Sequence, residues 1–129
     1  MSGRVLLDTN IVIAIFADDY SVRRALEETE EVFVPVIVLG ELYYGAHKSS
    51  RVETNIRRIS EFAMNCSVVT CDTETSRLYG KIKDVLRLKG RPIPENDIWI
   101  AAIAKQYAMT LVSRDDHFKE IDNLVTLSW

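Results

Sequence analysis

Four acidic residues lie at the ends of predicted strands or within predicted helices, where they are candidates for a functional site: Asp8, Glu41, Asp97 and Asp115. Asp8 ends a short apolar run, as expected when a buried strand delivers a carboxylate to the edge of a sheet and the chain turns into a helix. Thr9 and Asn10 are both suitable N-cap residues for that helix. An aspartate that only caps the turn would look the same, so the interpretation depends on whether other acids reach the same edge.

The other three acids have ordinary explanations as well as functional ones. Glu41 lies inside an apolar helix, where a carboxylate is costly unless it pairs with Arg or Lys or binds a metal. Asp97 falls in the first turn of a predicted helix that Asn96 would cap, a place where the helix dipole favours an acid. Asp115 follows a predicted strand and would suit a polar turn. Ser113 beside it would orient an acid or a water, or serve as a cap.

Taken together, the four acids predict a metal site. Clustered carboxylates raise one another's pKa values, and hard cations that bridge them make the cluster tolerable. Oxygen-only ligands with no nearby His or Cys suit Mg²⁺ or Mn²⁺. One or two such ions, about 4 Å apart when there are two, activate a water and stabilise the leaving oxygen of a phosphodiester.

Short apolar segments typical of strands alternate along the chain with segments of helical periodicity. This alternation predicts an α/β domain with a mostly parallel central sheet. The predicted strands are 4–8, 32–34, 67–70, 110–112 and 125–127. The predicted helices are 10–17, 22–30, 36–46, 51–65, 73–89 and 97–108, with one further turn at 116–119. Since the carboxyl ends of parallel strands form the functional edge, Asp8 and Asp115 should meet there.

Length and composition narrow the class of protein. A chain of 129 residues with 47% apolar residues predicts one globular domain, 1–129. No run is long enough to span a membrane and no signal peptide precedes the first strand, so we expect a soluble cytoplasmic protein. Cys66 and Cys71 lack zinc-site spacing and are expected to be free thiols. The net charge of −3 argues against broad nucleic-acid affinity but not against a nucleic-acid substrate at a local basic rim.

Four segments resemble the motifs of the PIN-domain ribonucleases, most closely the VapC-type toxins of type II toxin–antitoxin systems: 6–10, 34–42, 93–102 and 111–118. Each motif alone is weak, but all four in this order, over nearly the whole chain, are specific. The resemblance implies a PIN-like three-layer sandwich with a central sheet flanked by helices. It also implies that Asp8, Glu41, Asp97 and Asp115 surround Mg²⁺, with Mn²⁺ as a substitute.

The resemblance extends to activity and partners. It implies a metal-dependent endoribonuclease toxin that hydrolyses RNA phosphodiesters with a metal-activated water, a homodimer, and a small antitoxin protein whose tail covers the acidic pocket. Asn10 and Ser113 would be supporting polar residues, although the family often has Thr at the latter position. Asp116 is an alternative to Asp115 as the fourth acid. Arg114 is the basic residue predicted to contact RNA, and neither histidine is assigned a role.

Three other interpretations remain open from the sequence. One is a catalytically inactive PIN-like domain that only binds RNA or protein. Another is a receiver-type signalling module, which needs an acidic pair after the first strand and a Lys after the fifth, neither of which the chain offers. A third is a haloacid-dehalogenase-like phosphatase, whose motif needs a second Asp where Asn10 stands.

Overall fold

In the computed structural model, which describes residues 2–129, five strands form one parallel sheet. The strands are β1 (Ser2–Leu7), β2 (Thr29–Pro35), β3 (Ser67–Val69), β4 (Thr110–Val112) and β5 (Thr126–Leu127). Their order across the sheet is β3-β2-β1-β4-β5. The predicted α/β fold with a central parallel sheet is confirmed.

Helices follow the strands and cover the sheet. They are α1 (Thr9–Phe16), α2 (Tyr20–Glu27), α3 (Val36–His47), α4 (Val52–Met64), α5 (Thr73–Lys89) and α6 (Glu95–Gln106), with a 3₁₀ turn at Asp116–Glu120. Within residues 2–129, none of them combines the length and the apolar character needed to traverse a bilayer.

The core lies around β1, the middle strand of the sheet. Val5, Leu6 and Leu7 are fully buried, as expected for a parallel strand that helices cover on both faces. β1 pairs with β2 on one side and with β4 on the other. The direction of winding therefore reverses between β1 and β4, and such a switch point is where open parallel sheets bind ligands at their carboxyl edge.

The second strand begins earlier than the sequence predicts. The charge pattern predicts a helix over residues 22–30, but the helix ends at Glu27 and β2 starts at Thr29. Parallel pairing explains the difference, because Thr29 lies opposite Ser2 and Glu31 opposite Arg4 in the ladder with β1. The long-range pairing overrides the local helical preference of this polar segment.

The N-cap of α1 is the alternative that the sequence left open, and the predicted N-cap of the last helix is wrong. Asp8, not Thr9 or Asn10, caps α1, since its Oδ1 accepts a hydrogen bond from the backbone N–H of Thr9 at 2.8 Å. The last helix, α6, starts at Glu95 after the cap residue Pro94, so Asn96 lies in the first turn instead of capping it. In α1, the shift leaves the side chains of Thr9 and Asn10 available for other contacts.

The predicted C-cap of α5 is confirmed. Gly90 ends the helix in the left-handed conformation with φ of 69°, and its N–H donates to the carbonyls of Arg87 and Leu86. A left-handed cap is where glycine avoids the steric cost of a Cβ.

Replacement of Gly90 by Ala should therefore lower the free energy of unfolding by about 1 kcal/mol, because alanine is strained at positive φ. Gly80→Ala is the matched control: this residue lies inside the same helix, with open space where a Cβ would lie. It should raise the unfolding free energy by up to about 1 kcal/mol, because alanine favours the helix. Urea denaturation monitored by circular dichroism measures both, and equal effects of the two changes would contradict the conformational explanation.

Candidate active site

The four predicted acids converge at the carboxyl edge of the sheet. Asp8 follows β1, Asp115 lies in the turn after β4, Glu41 is on α3 and Asp97 is in the first turn of α6. All four line one open cavity of about 500 Å³. The cavity lies at the switch point between β1 and β4, where the topology predicts a ligand site.

The buried carboxylate of Asp8 is held by donors on both oxygens. The Asp8 backbone N–H donates to the carbonyl of Val112 at 3.0 Å, which continues the pairing of β1 with β4. That pairing brings Ser113 alongside, and the Ser113 hydroxyl donates to Oδ2 of Asp8 at 2.7 Å. The other oxygen accepts from the Thr9 N–H. The orientation of Asp8 is therefore fixed by the two strands and the turn that follows the first.

Asn10 connects three of the groups at this edge. Its Nδ2 lies 3.4 Å from Oδ2 of Asp115, 3.4 Å from the Ser113 hydroxyl and 3.5 Å from Oδ2 of Asp8. Its Oδ1 accepts from the backbone N–H of Arg114 at 3.2 Å. The Ser113 oxygen in turn accepts from the backbone N–H of Asp115 at 3.0 Å. Asn10 and Ser113 thus tie the loop after β4 to the start of α1.

The half-buried Glu41 has a hydroxyl partner. Thr9 donates from Oγ1 to Oε1 of Glu41 at 2.7 Å. Among the residues that the structure describes, no Arg or Lys forms an ion pair with Glu41, so the sequence-based alternative of a buried cationic partner does not apply. Thr9 had no predicted role in the site beyond a cap. Its position directly after Asp8, at the start of the helix, is the signal that would have identified it.

His117 is the second contributor that had no predicted role. Its Nε2 contacts Oδ2 of Asp97 and lies 4.0 Å from Oδ2 of Asp115. One potential ligand atom from each of these three residues lies within 4.8 Å of the other two. The 3₁₀ turn returns His117 to the cavity, and the buried Phe118 anchors that turn in the core. The spacing of two residues after Asp115 was the available signal.

Burial gives two of the acids unusual proton affinity. Burial raises the pKa of Asp97 from 3.8 to about 6; the contact with His117 opposes this shift, and the negative charges of Asp8 and Glu41 add to it. Burial also raises the pKa of Asp8, against the hydrogen bonds from Ser113 and Thr9. A site in which carboxylates hold their protons this tightly favours a cation that would replace those protons.

The donor set fits a hard divalent metal. Carboxylate oxygens dominate the lining, one imidazole joins them, and the cavity has no thiol among its lining residues. Both cysteines are free and lie elsewhere. Oxygen-rich sites of this kind suit Mg²⁺ or Mn²⁺ better than softer ions. The group formed by Asp97, Asp115 and His117 can therefore hold a metal ion.

A larger cavity of about 600 Å³ lies between the end of α5 and the start of α6, but its charged groups are already paired. Lys83 forms an ion pair with Glu95 at 2.8 Å, and Arg87 with Asp84 at 2.7 Å. The remaining lining is mainly apolar. The acidic cavity is therefore the stronger candidate for chemistry.

The PIN-domain family model matches residues 5–124. The chain belongs to the PIN-domain family. This PIN domain is 35% identical to ribonuclease VapC2 of Haemophilus influenzae, with 98% of each chain covered. It is 30% identical to ribonuclease VapC2 of Rickettsia felis, with 96% of each covered. It is also 30% identical to the tRNA(fMet)-specific endonuclease VapC of Shigella flexneri, with 98% of each covered.

Solved structures agree with this assignment. The VapBC2 complex of Rickettsia felis, bound to a DNA fragment from its promoter, contains a chain that matches this PIN domain with a TM-score of 0.90 and 31% identity. The DNA-bound VapBC complex of Salmonella typhimurium contains one with a TM-score of 0.91 and 28% identity. In both cases 98% of each chain is covered. The PIN domain described here is therefore of the VapC type.

Arg114 and Asp116 point away from the acids. The Arg114 guanidinium pairs with Asp19 at 3.0 Å and donates to the Trp129 carbonyl at 2.9 Å. It does not line the cavity, so its contact with RNA stays a prediction. Hydrogen bonds from Ser21 and Arg114 lower the pKa of Asp19 to about 2. Asp116 pairs with an exposed lysine at 3.1 Å, whereas Asp115 lines the cavity.

Replacement of Asp97 by Asn should stabilise the metal-free protein above neutral pH. The folded carboxyl keeps its proton between the unfolded pKa of 3.8 and the folded value of about 6. Wild-type stability relative to Asp97→Asn therefore falls as the pH rises through this window, and the variant is more stable by roughly 1–3 kcal/mol above it. Urea denaturation in EDTA measures the difference. The measurements run from about pH 4 to about pH 8, a range that spans the shift in the pKa of Asp97. Asp116→Asn, at an exposed position, is the control, and an equal pH dependence in both variants would contradict the prediction.

Proposed function

We propose that this chain is a metal-dependent endoribonuclease that acts as the toxin of a toxin–antitoxin pair. The observation that carries the proposal is the convergence of Asp8, Glu41, Asp97 and Asp115 on one open cavity, in a chain with the sequence and fold of VapC ribonucleases. One relative is named for cleavage of a tRNA. The substrate is therefore proposed to be RNA, cut within the chain at a phosphodiester.

The proposed metal is Mg²⁺, with Mn²⁺ as a substitute. Its ligands would come from Asp8, Glu41, Asp97 and Asp115, which all line the cavity. A bound divalent ion supplies Lewis acidity that activates a water for attack on phosphorus and offsets the charge that develops on the phosphate.

The protein's part in the reaction is to hold the acids in place before substrate arrives. Ser113 and the Thr9 N–H fix the two oxygens of Asp8, and the Thr9 hydroxyl orients Glu41. His117 restrains Asp97. Such supporting contacts reduce the reorganisation that catalysis would otherwise require. We propose that water attacks the phosphate directly, without a covalent intermediate, because an ion held by these acids would activate a water as the nucleophile.

The proposed partners follow from the solved complexes and from charge. The matching structures are toxin–antitoxin complexes, and we propose that this chain binds its own antitoxin protein. A cationic side chain of that partner would complement the acidic cavity, and its insertion would block access of the metal and the substrate. We further propose a homodimer that acts in the cytoplasm.

The alternative activities have less support. A receiver domain has the strand order 2-1-3-4-5, whereas this sheet has β3-β2-β1-β4-β5. A catalytically inactive PIN domain would not need to keep four carboxylates on one cavity, with neutral donors around them. The nuclease proposal accounts for both the acids and their supporting contacts.

Induced expression of the wild-type chain without an antitoxin should arrest growth and produce discrete new 5′ ends in cellular RNA. Asp8→Asn should abolish both effects, because it removes a charged metal ligand while keeping the side-chain volume. Asp116→Asn, a matched charge change at the surface, should behave as the wild type does. Sequencing of 5′ ends from the three cultures provides the measurement. New ends of equal abundance with Asp8→Asn would count against metal-dependent cleavage by this site.

Mg²⁺ should raise the melting temperature of purified wild-type protein by several degrees, because an ion that binds only the folded state stabilises it. Asp97→Asn should remove most of this increase, and EDTA should reverse it. Differential scanning calorimetry at fixed ionic strength separates ion binding from general screening. An increase of the same size in the variant would show that the ion binds elsewhere.

A further inference from the structure

A small groove opens beside the acidic cavity, between α1, α3 and α4. Its volume is about 200 Å³, and its lining is mainly apolar, with Phe16, Leu42 and Ile59 among the contributors. Thr9, Ile13 and Glu41 line both spaces, so the groove continues directly from the acids. Sites for drug-sized ligands occupy roughly 300–1,000 Å³, so this groove suits a smaller planar group.

We propose that this groove binds the nucleobase of the RNA nucleotide next to the scissile phosphate. The proposal rests on the nuclease function proposed above and identifies where that activity recognises its substrate. A phosphate at the acids would bring the adjoining base within reach of Ile13, a residue that is 54% exposed and lines both spaces. An exposed aliphatic side chain at this border provides an apolar contact for a base or a ribose.

Arg58 gives the groove its polar recognition element. Its guanidinium lies 5.2 Å from the centre of the Phe16 ring, which in turn packs edge-on against Phe62. Within residues 2–129, no carboxylate forms an ion pair with Arg58, although it lines the groove. Unstacked RNA bases are bound by stacking on aromatic rings or guanidinium planes and by hydrogen bonds to their edges. A guanidinium that an aromatic ring supports, and that no described acid engages, provides both contacts.

The charge around the groove favours RNA on this side of the acids. Residues 46–58 carry four basic side chains and one acidic side chain, in a chain whose net charge is −3. All four basic residues are exposed: Lys48, Arg51, Arg57 and Arg58. On the opposite side of the cavity, the charge of Glu95 in the lining is offset by its ion pair with Lys83 at 2.8 Å. A polyanion at the acidic edge is therefore attracted towards α4.

A helical glycine in the lining allows the groove to be filled without disturbing the fold. Gly45 lies on α3, and a Cβ at this position would meet no atom within 4 Å. A longer side chain here would occupy the groove, and it would also favour the helix over glycine. Gly80 on α5 offers the same open surroundings at a different cavity, which makes it the matched control.

The first test compares Arg58→Ala with Arg57→Ala, neighbouring changes that remove the same charge. The variants are made in the Asp8→Asn background to prevent turnover, and binding is measured with Mg²⁺ by the anisotropy of a fluorescein-labelled single-stranded RNA decamer containing all four bases. Loss of a base-stacking contact should weaken binding about tenfold for Arg58→Ala. Loss of a general phosphate attraction should weaken it by less than about threefold for Arg57→Ala.

The second test compares Gly45→Met with Gly80→Met in the same assay and in cleavage of RNA by otherwise wild-type protein. Gly45→Met should weaken binding to a similar extent and should raise KM with little change in kcat, because it blocks the base and leaves the acids intact. Gly80→Met should change neither parameter. Thermal unfolding confirms that both variants are folded.

Two results would overturn the inference, and they differ from each other. If the wild type cleaves RNA while the Arg58 and Gly45 variants match their controls, the base site is wrong and the nuclease proposal stands. If the wild type with Mg²⁺ cleaves no RNA, the nuclease proposal fails and the base site fails with it. Selective weakening by both Arg58→Ala and Gly45→Met, with active wild type, supports the inference.

Discussion

The removal of clustered carboxylates from water is the constraint that shapes this protein. Asp8 and Asp97 are largely removed from water, and both hold their protons more tightly than free aspartate does. Without a metal, such a cluster destabilises the folded chain. The fold limits this cost with neutral donors and one imidazole: the backbone N–H and hydroxyl of Thr9, the amide of Asn10, the hydroxyl of Ser113 and the ring of His117.

The sheet provides the rigid frame for these contacts. Because β1 and β4 are adjacent and parallel, the residues that follow them leave the sheet side by side. Asp8 and Ser113 meet for this reason, although 105 positions separate them in the sequence. The helices then deliver the two remaining acids, Glu41 from α3 and Asp97 from the first turn of α6. A site built in this way depends on packing of the whole domain and not on one local motif.

Much of this arrangement could be predicted from the sequence because apolar runs and periodicity are strong local signals. The bounds of β4 and of α5 agree with the prediction, and the four acids lie on one cavity. Contacts that form only between distant segments could not be predicted in this way. The early start of β2 depends on pairing with β1, and the engagement of Arg114 by Asp19 depends on how two turns meet. The N-cap of α1 shows a related limit: propensity does not separate Asp8 from Asn10, whereas in the structure Asp8 caps the helix with one oxygen and accepts from Ser113 with the other. Capping propensity considers one role for each residue. A residue between a strand and a helix, such as Asp8, can both cap the helix and accept a hydrogen bond from a neighbouring strand's loop.

The separation of Asp8 and Ser113 in the sequence has a consequence for synthesis of the protein on the ribosome. The first strand leaves the exit tunnel early, but the carboxylate of Asp8 lacks its hydroxyl donor Ser113 and the fourth acid, Asp115, until nearly the whole chain has been translated. Incomplete nascent chains therefore carry the aspartate without the site. The acidic site therefore assembles only when translation is almost finished. The order in which its residues are synthesised delays any activity of the site until that point.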